Sequence, residues 1–89
     1  MALDPAVLKE YEGVYEINPT FKITVTTKGK DIFLQATSQP QVSMYAEELD
    51  KFFLKIVEAK VHFQRDANNK VEKLVLYQNG TQLEGKKLN

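Results

Sequence analysis

The chain has 89 residues, of which 43% are hydrophobic and none is cysteine, and its twelve basic side chains balance twelve acidic ones. This length supports one domain, and the zero net charge argues against nucleic acid or an anionic membrane surface as the main partner, because both attract a positive surplus. The lack of cysteine excludes disulfides and cysteine-ligated metals, and no apolar run approaches the length of a membrane span, so we expect no membrane insertion.

The first residues predict a short helix. Asp4 is a suitable N-cap, and Pro5 suits the first helical position, where a backbone N–H would have no partner anyway. Apolar residues on both sides of this start fall at the spacing of one helix face, namely Leu3, Val7, Leu8 and Tyr11. The helix must end near Gly13, where we expect the first strand to begin.

Beyond Gly13 the sequence predicts antiparallel β-structure, because apolar and polar residues alternate with period two. Gly29-Lys30 fits a two-residue hairpin loop of type II′, which requires glycine at its first position. This loop places Val25 opposite Leu34, so the apolar residues of both strands share one face of the sheet.

Asn79-Gly80 is a stronger hairpin signal and predicts a type I′ turn. This turn places Leu76 opposite Leu83 and Leu74 opposite Gly85. Because the alternation changes phase at Gly85, we expect a bulge or a close backbone approach there.

Residues 44–60 are ambiguous. Their apolar residues fall at helical spacing, with no Gly or Pro between them: Tyr45, Leu49, Phe52, Phe53 and Ile56. The alternative is a pair of strands with a turn at residues 48–51. The local pattern leaves both structures open.

His62 is the only histidine and the first candidate for a catalytic residue. It is out of phase with its apolar neighbours, so its side chain should point away from their face. A nucleophilic triad would need Ser38 or Ser43 beside it, together with an orienting acid. Neither serine lies in a nucleophile elbow or a Ser-x-x-Lys motif. We therefore predict no catalytic residue and no enzymatic activity.

The acidic residues give no pattern typical of a metal or cofactor site. Residues 66–72 lack the alternating oxygen ligands, central glycine and closing glutamate of a calcium loop. We therefore expect neither a bound metal nor a cofactor.

Three aromatic residues should lie on the outside of the sheet. Phe33 and Tyr77 alternate with inward-facing leucines, and Tyr45 lies at the start of the ambiguous stretch of residues 44–60. Single exposed aromatics are common and need no explanation, whereas a group of them would indicate a partner surface. We take Phe33, Tyr45 and Tyr77 as the candidate interface.

A set of residues in a particular order resembles a known family: Asp4-Pro5, Tyr11-x-Gly13-x-Tyr15, Gln39-Pro40, Asp50-Lys51-Phe52-Phe53, Ala59, Phe63, Asp66, Gln78-Asn79-Gly80 and Lys87-Leu88. The family is a lipocalin-like β domain appended to the C-terminus of beta-lactamase-related serine hydrolases, which are mostly bacterial and exported. One departure is Asn69, where the family often carries glycine. Asparagine tolerates the left-handed conformation, so the turn should survive.

The resemblance implies that residues 52–63 form strand and not helix. It implies an all-β fold, a small antiparallel lipocalin-like barrel of about eight short strands with a short N-terminal helix. Large side chains should fill an interior of this size, with Phe21, Phe63 and one of Phe52 and Phe53 as the expected fillers. We expect residues 1–89 to be a single domain from a longer chain.

The resemblance also implies a function, that of a non-catalytic accessory domain of an exported serine hydrolase. Such a domain would act in access to the active site or in self-association, and its location would be extracytoplasmic. The alternative is a lipocalin-like carrier of a small apolar ligand. A carrier needs small residues around its interior, whereas this chain places phenylalanine there.

Overall fold

The computed structural model describes residues 3–88, which form a closed barrel of eight antiparallel strands. Each strand pairs with the next along the chain, and the last pairs with the first. The strands are β1 (Gly13–Asn18), β2 (Phe21–Lys28), β3 (Asp31–Ala36), β4 (Val42–Glu48), β5 (Lys51–Leu54), β6 (Ala59–Arg65), β7 (Val71–Gln78) and β8 (Thr81–Lys87). The predicted antiparallel barrel of about eight strands is confirmed.

A helix α1 (Pro5–Leu8) precedes the barrel and continues as a 3-10 turn (Lys9–Tyr11). As predicted, Asp4 caps it, because its carboxylate accepts a hydrogen bond of 2.8 Å from the backbone N–H of Ala6. Leu8 and Tyr11 are buried in the core, so the helix closes one end of the barrel. No helix within residues 3–88 has the length and apolar character needed to cross a membrane.

Both predicted hairpins are confirmed. Gly29 has a φ of 60°, and both Asn79 and Gly80 have positive φ values, of 52° and 74°. These angles are those of type II′ and type I′ turns respectively. The register follows from the turns: Val25 pairs with Leu34, Leu76 with Leu83 and Leu74 with Gly85.

Residues 44–60 contain no helix, and the helical spacing of their apolar residues is misleading. The residues belong to β4, β5 and β6, with a first turn where Asp50 has a φ of 66° and a second turn at residues 55–58. The prediction of a strand through residues 52–63 is therefore wrong at this second turn. The apparent stripe mixes inward-facing Phe52 with outward-facing Tyr45 and Phe53 and with Leu49 and Ile56 in the turns.

Four aromatic rings fill the barrel next to the helix. Tyr11, Tyr15 and Phe52 are fully buried, and Phe63 is nearly so. The ring centroids of Tyr11 and Phe63 lie 4.5 Å apart, and those of Phe52 and Phe63 lie 5.6 Å apart. The prediction of Phe63 and of one residue of the Phe52-Phe53 pair as fillers is confirmed.

Phe21 was also predicted to fill the interior, and this is wrong. It is only half-buried, because it is the first residue of β2 and pairs with Asn18 next to an irregularity in the β1–β2 register. The tyrosines of the N-terminal segment take up the interior volume instead.

Gly85 marks a close approach and not a bulge, since the β7–β8 register runs through it without a shift. A Cβ atom at Gly85 would lie 3.2 Å from Cβ of Tyr15 and 3.3 Å from Cγ1 of Ile17. Asn69 has a φ of 63°, so asparagine supports the turn where the family often has glycine.

Candidate interaction surface

Outward-facing side chains of four neighbouring strands form a row across the outside of the barrel. Tyr45 on β4 pairs with Phe53 on β5, Phe53 pairs with Lys60 on β6, and Lys60 pairs with Tyr77 on β7. Because neighbouring strands lie about 4.8 Å apart, the two tyrosines are roughly 14 Å apart across the sheet. We call Tyr45, Phe53, Lys60 and Tyr77, together with His62, the outer aromatic face.

One end of this face is an aromatic pair covered by a lysine. The ring centroids of Tyr45 and Phe53 lie 5.8 Å apart, and the Lys55 ammonium lies 4.1 Å from the centroid of the Tyr45 ring. This distance is that of a cation–π contact. Tyr45 nevertheless remains 39% exposed, so its ring is available to a partner.

The other end is formed by Tyr77 and His62, whose ring centroids lie 4.8 Å apart in an edge-to-face arrangement. Tyr77 is 36% exposed. The neighbouring Val75 points outward yet is buried, because the side chains around it cover it. Partial burial lowers the pKa of His62, and the positive charge of Lys51 acts in the same direction.

Phe33 lies apart from this row. It points outward from β3, is half-buried, and pairs with Ser43 two residues before Tyr45. Tyr45 is therefore its diagonal neighbour, at a distance of roughly 7–8 Å for such pairs. Of the three residues predicted from sequence, Tyr45 and Tyr77 share the row, whereas Phe33 lies at its margin.

Three apolar residues of this region, Phe53, Ile56 and Val57, lie outside the interface predicted from sequence. The sequence pattern assigns Phe53 to a possible core position and to the helical spacing of residues 44–60, and it assigns Ile56 to that spacing alone. Ile56 is 74% and Val57 is 46% exposed in the turn between β5 and β6. The sequence offers no signal for these exposed positions, because the four-residue turn that holds Ile56 and Val57 contains two β-branched residues and no Gly, Pro, Asn or Asp.

His62 has no nucleophile beside it. Ser43 is on β4, which is separated from β6 by β5, and Ser38 lies in the turn between β3 and β4. The contacts of His62 are the ring of Tyr77 and the charges of Lys51 and its neighbours. Among residues 3–88, no group of three or more His, Cys, Asp or Glu side chains is placed to hold a metal ion.

A polar network holds the helix on the barrel. The Tyr11 hydroxyl donates a hydrogen bond of 2.7 Å to Oδ1 of Asp50 and accepts one of 3.0 Å from the Asp50 backbone N–H. Arg65 donates from Nε to both carboxylate oxygens of Asp50 and from Nη1 to Glu10 at 2.7 Å. Burial, reinforced by the Asp50 carboxylate, raises the pKa of Tyr11 to about 12. Because these groups satisfy one another, the network is a structural link between the helix and the strands.

The profile of the family described as "Domain of unknown function (DUF3471)" matches residues 2–88, which is nearly the whole chain. Comparison with curated proteins gives no match.

Proposed function

The chain belongs to the family described as "Domain of unknown function (DUF3471)", and we propose that it serves as a non-catalytic accessory domain of an exported serine hydrolase. In this proposal the outer aromatic face docks on the catalytic domain of the same protein and limits access to its active site. The resemblance to the lipocalin-like domains of beta-lactamase-related hydrolases supports the choice of partner.

The observation that carries the proposal is the row from Tyr45 to Tyr77. Aromatic side chains are enriched in protein interfaces, where they bury a large area at a low entropic cost. Here two tyrosines, each more than a third exposed, are held in place by neighbouring rings. A partner that covers them would not need to order them first, so little of the binding energy is lost.

The charges around the row are those of a polar rim. Lys60 lies between the two tyrosines and approaches the Glu47 carboxylate at 3.6 Å, and Lys51 is 2.9 Å from Glu48. Both pairs are exposed and therefore add little to stability. They can exchange partners with charged groups on a docked domain, which would set its orientation.

The alternative, a carrier of a small apolar ligand, has less support. A carrier needs an empty interior, whereas the rings of Tyr11, Tyr15, Phe52 and Phe63 contact one another inside this barrel. A ligand of ordinary size would have to displace them. We therefore expect the chain to hold no apolar fluorescent probe in its interior.

The proposal is tested in the protein encoded by the complete reading frame. The double variant Tyr45→Ser/Tyr77→Ser removes both exposed rings. The matched control is Leu49→Ser, because Leu49 lies in the turn after β4 and its side chain is 53% exposed. We expect the double variant to change kcat/KM of the hydrolase toward an ester or β-lactam while the thermal unfolding midpoint of the barrel stays nearly constant. The control should change neither.

Three other outcomes are informative. If kcat/KM is unchanged and the double variant converts an oligomer into a monomer, the face serves self-association. If the double variant unfolds, Tyr45 and Tyr77 are structural and the proposal is wrong. The isolated chain should be inert toward ester, amide and β-lactam substrates, and turnover by it would also contradict the proposal.

A further inference from the structure

The tip of the β7–β8 hairpin is an Asn-Gly pair, Asn79-Gly80, that projects into solvent. Both residues are exposed, and a Cβ atom at Gly80 would meet nothing within 4 Å. Within the part of the chain that the structure describes, the side-chain amide of Asn79 makes no hydrogen bond, and neither does the backbone N–H of Gly80 outside the strand pairing. The side-chain amide carbon Cγ of Asn79 and the backbone nitrogen of Gly80 are therefore both accessible.

We propose that Asn79 is a site of spontaneous deamidation. The backbone nitrogen of Gly80 loses its proton and bonds to Cγ of Asn79, the bond from Cγ to Nδ2 breaks, and the amide nitrogen leaves as ammonia. The product is a five-membered succinimide. Water then opens either of the two C–N bonds of the ring to give aspartate or isoaspartate. Water is the only other reactant, and no oxidation or reduction occurs.

The other described asparagines lack a free nucleophile. Asn18 precedes Pro19, whose nitrogen carries no hydrogen. The nitrogen that would attack Asn68 is the N–H of Asn69, which donates a hydrogen bond of 3.0 Å to the Asp66 carbonyl. The nitrogen that would attack Asn69 is the N–H of Lys70, which donates a hydrogen bond of 3.0 Å to Oδ1 of Asp66.

Side-chain crowding reinforces this difference. Asn69 and Lys70 carry Cβ atoms beside the attacking nitrogen, whereas Gly80 carries none. Asn79 therefore combines an unhindered nucleophile with an amide that has no partner. Among the asparagines at positions 18, 68, 69 and 79 we infer that Asn79 alone reacts readily in the folded chain.

The modification would alter one end of the outer aromatic face, a consequence that rests on the proposed function. Isoaspartate adds one carbon to the backbone of a two-residue loop whose length fixes the register between Tyr77 and Gln82. Aspartate adds a negative charge to the surface hollow that Asn79 lines together with Tyr77 and Lys60. Either product would make docking depend on the age of the protein.

The test is peptide mapping by mass spectrometry of the folded chain during prolonged incubation in mildly alkaline buffer. We expect Asn79 to gain the amide-to-acid mass difference at least about tenfold faster than Asn68 or Asn69, a ratio equivalent to about 1.4 kcal/mol in activation free energy. The Asn79→Gly variant keeps a residue suited to positive φ and should show no conversion at this position. The Asp66→Ala variant removes the side-chain acceptor of the Lys70 N–H and should accelerate conversion at Asn69.

Two results would overturn the proposal. One is conversion of Asn68 or Asn69 as fast as that of Asn79 in the unsubstituted chain. The other is an Asn79 that stays intact in the folded chain while a free peptide of residues 76–83 converts completely, because the turn geometry would then protect it. Neither readout depends on docking, so the site can be confirmed even if the proposed function fails.

Discussion

The Tyr11 hydroxyl, which links Tyr11 to Asp50, should stabilise the barrel more than any other single hydroxyl group. The Tyr11→Phe substitution keeps a fully buried ring and removes only the oxygen. The Tyr11 hydroxyl donates a hydrogen bond of 2.7 Å to the Asp50 carboxylate and accepts one of 3.0 Å from the Asp50 backbone N–H. Its loss therefore removes a charge-assisted hydrogen bond and leaves a backbone donor without its acceptor.

The magnitude follows from these two terms. A hydrogen bond to a charged group contributes about 1.5–3 kcal/mol, and an unsatisfied buried donor costs about 1–3 kcal/mol. Because Asp50 is only half-buried and stays paired with Arg65, the second term lies at its lower end. We expect the free energy of unfolding to fall by about 2–4 kcal/mol, out of a total of roughly 4–13 kcal/mol for a chain of this length.

Tyr15→Phe is the matched control. Tyr15 is equally buried, but its hydroxyl donates a single neutral hydrogen bond of 2.7 Å, to the backbone carbonyl of Tyr11. The expected loss is about 1–2 kcal/mol. Urea unfolding followed by circular dichroism, with equal slopes for the three proteins, measures both effects. A Tyr11→Phe variant that is no less stable than Tyr15→Phe would refute the assigned role of Asp50.

Two further predictions concern the turn and the response to alkali. Gly80→Val should lower the free energy of unfolding by about 1–3 kcal/mol, because a β-branched residue resists the φ of 74° at this position; an unchanged urea midpoint would show that the turn does not require glycine. The pKa of Tyr11 is raised from 10.0 to about 12, so its contribution to stability is complete below pH 10 and declines as the pH rises from 10 to 12, where the unfolded state ionises first. Unfolding midpoints across this window should fall less steeply for Tyr11→Phe than for the unsubstituted chain, and parallel curves would contradict the shift.

The hairpins could be predicted from sequence because their information is local. Gly29-Lys30 and Asn79-Gly80 each determine a turn type, and the turn type determines which residues face each other across the strands. Two adjacent signals, turn chemistry and alternation, agreed at each place. Predictions that depended on a single signal were less successful.

The region from β4 to β6 illustrates the limit. Its second turn, at residues 55–58, contains Ile56 and Val57 and no Gly, Pro, Asn or Asp, so no turn-forming residue in the sequence marks the chain reversal. Without this turn, the pairing of Phe53 with Lys60 cannot be deduced, and neither can the row that joins Tyr45 to Tyr77. The candidate face depends on which residues pair between neighbouring strands. The alternation of apolar and polar residues within one strand does not determine that pairing.

The prediction of Phe21 as an interior residue was wrong for a related reason. Alternation placed Phe21 in phase with Ile23 and Val25, but it could not show that Phe21 lies at the end of a strand beside a register irregularity. Tyr11 and Tyr15 occupy the interior volume, and their hydroxyls bond to Asp50, which is distant in the sequence, and to the backbone carbonyl of Tyr11, four residues before Tyr15. A period-two pattern carries no information about such partners.

The most direct test of the proposed accessory role is a titration of the isotope-labelled chain with the serine hydrolase domain that the proposal expects in the same reading frame, followed by nuclear magnetic resonance. Docking through the outer aromatic face predicts that the largest changes in backbone amide shifts occur at Tyr45, Phe53, Lys60 and Tyr77 and are absent for the Tyr45→Ser/Tyr77→Ser variant. No shift changes at saturating catalytic domain, or changes confined to the helix end of the barrel around Asp50 and Arg65, would contradict the proposal.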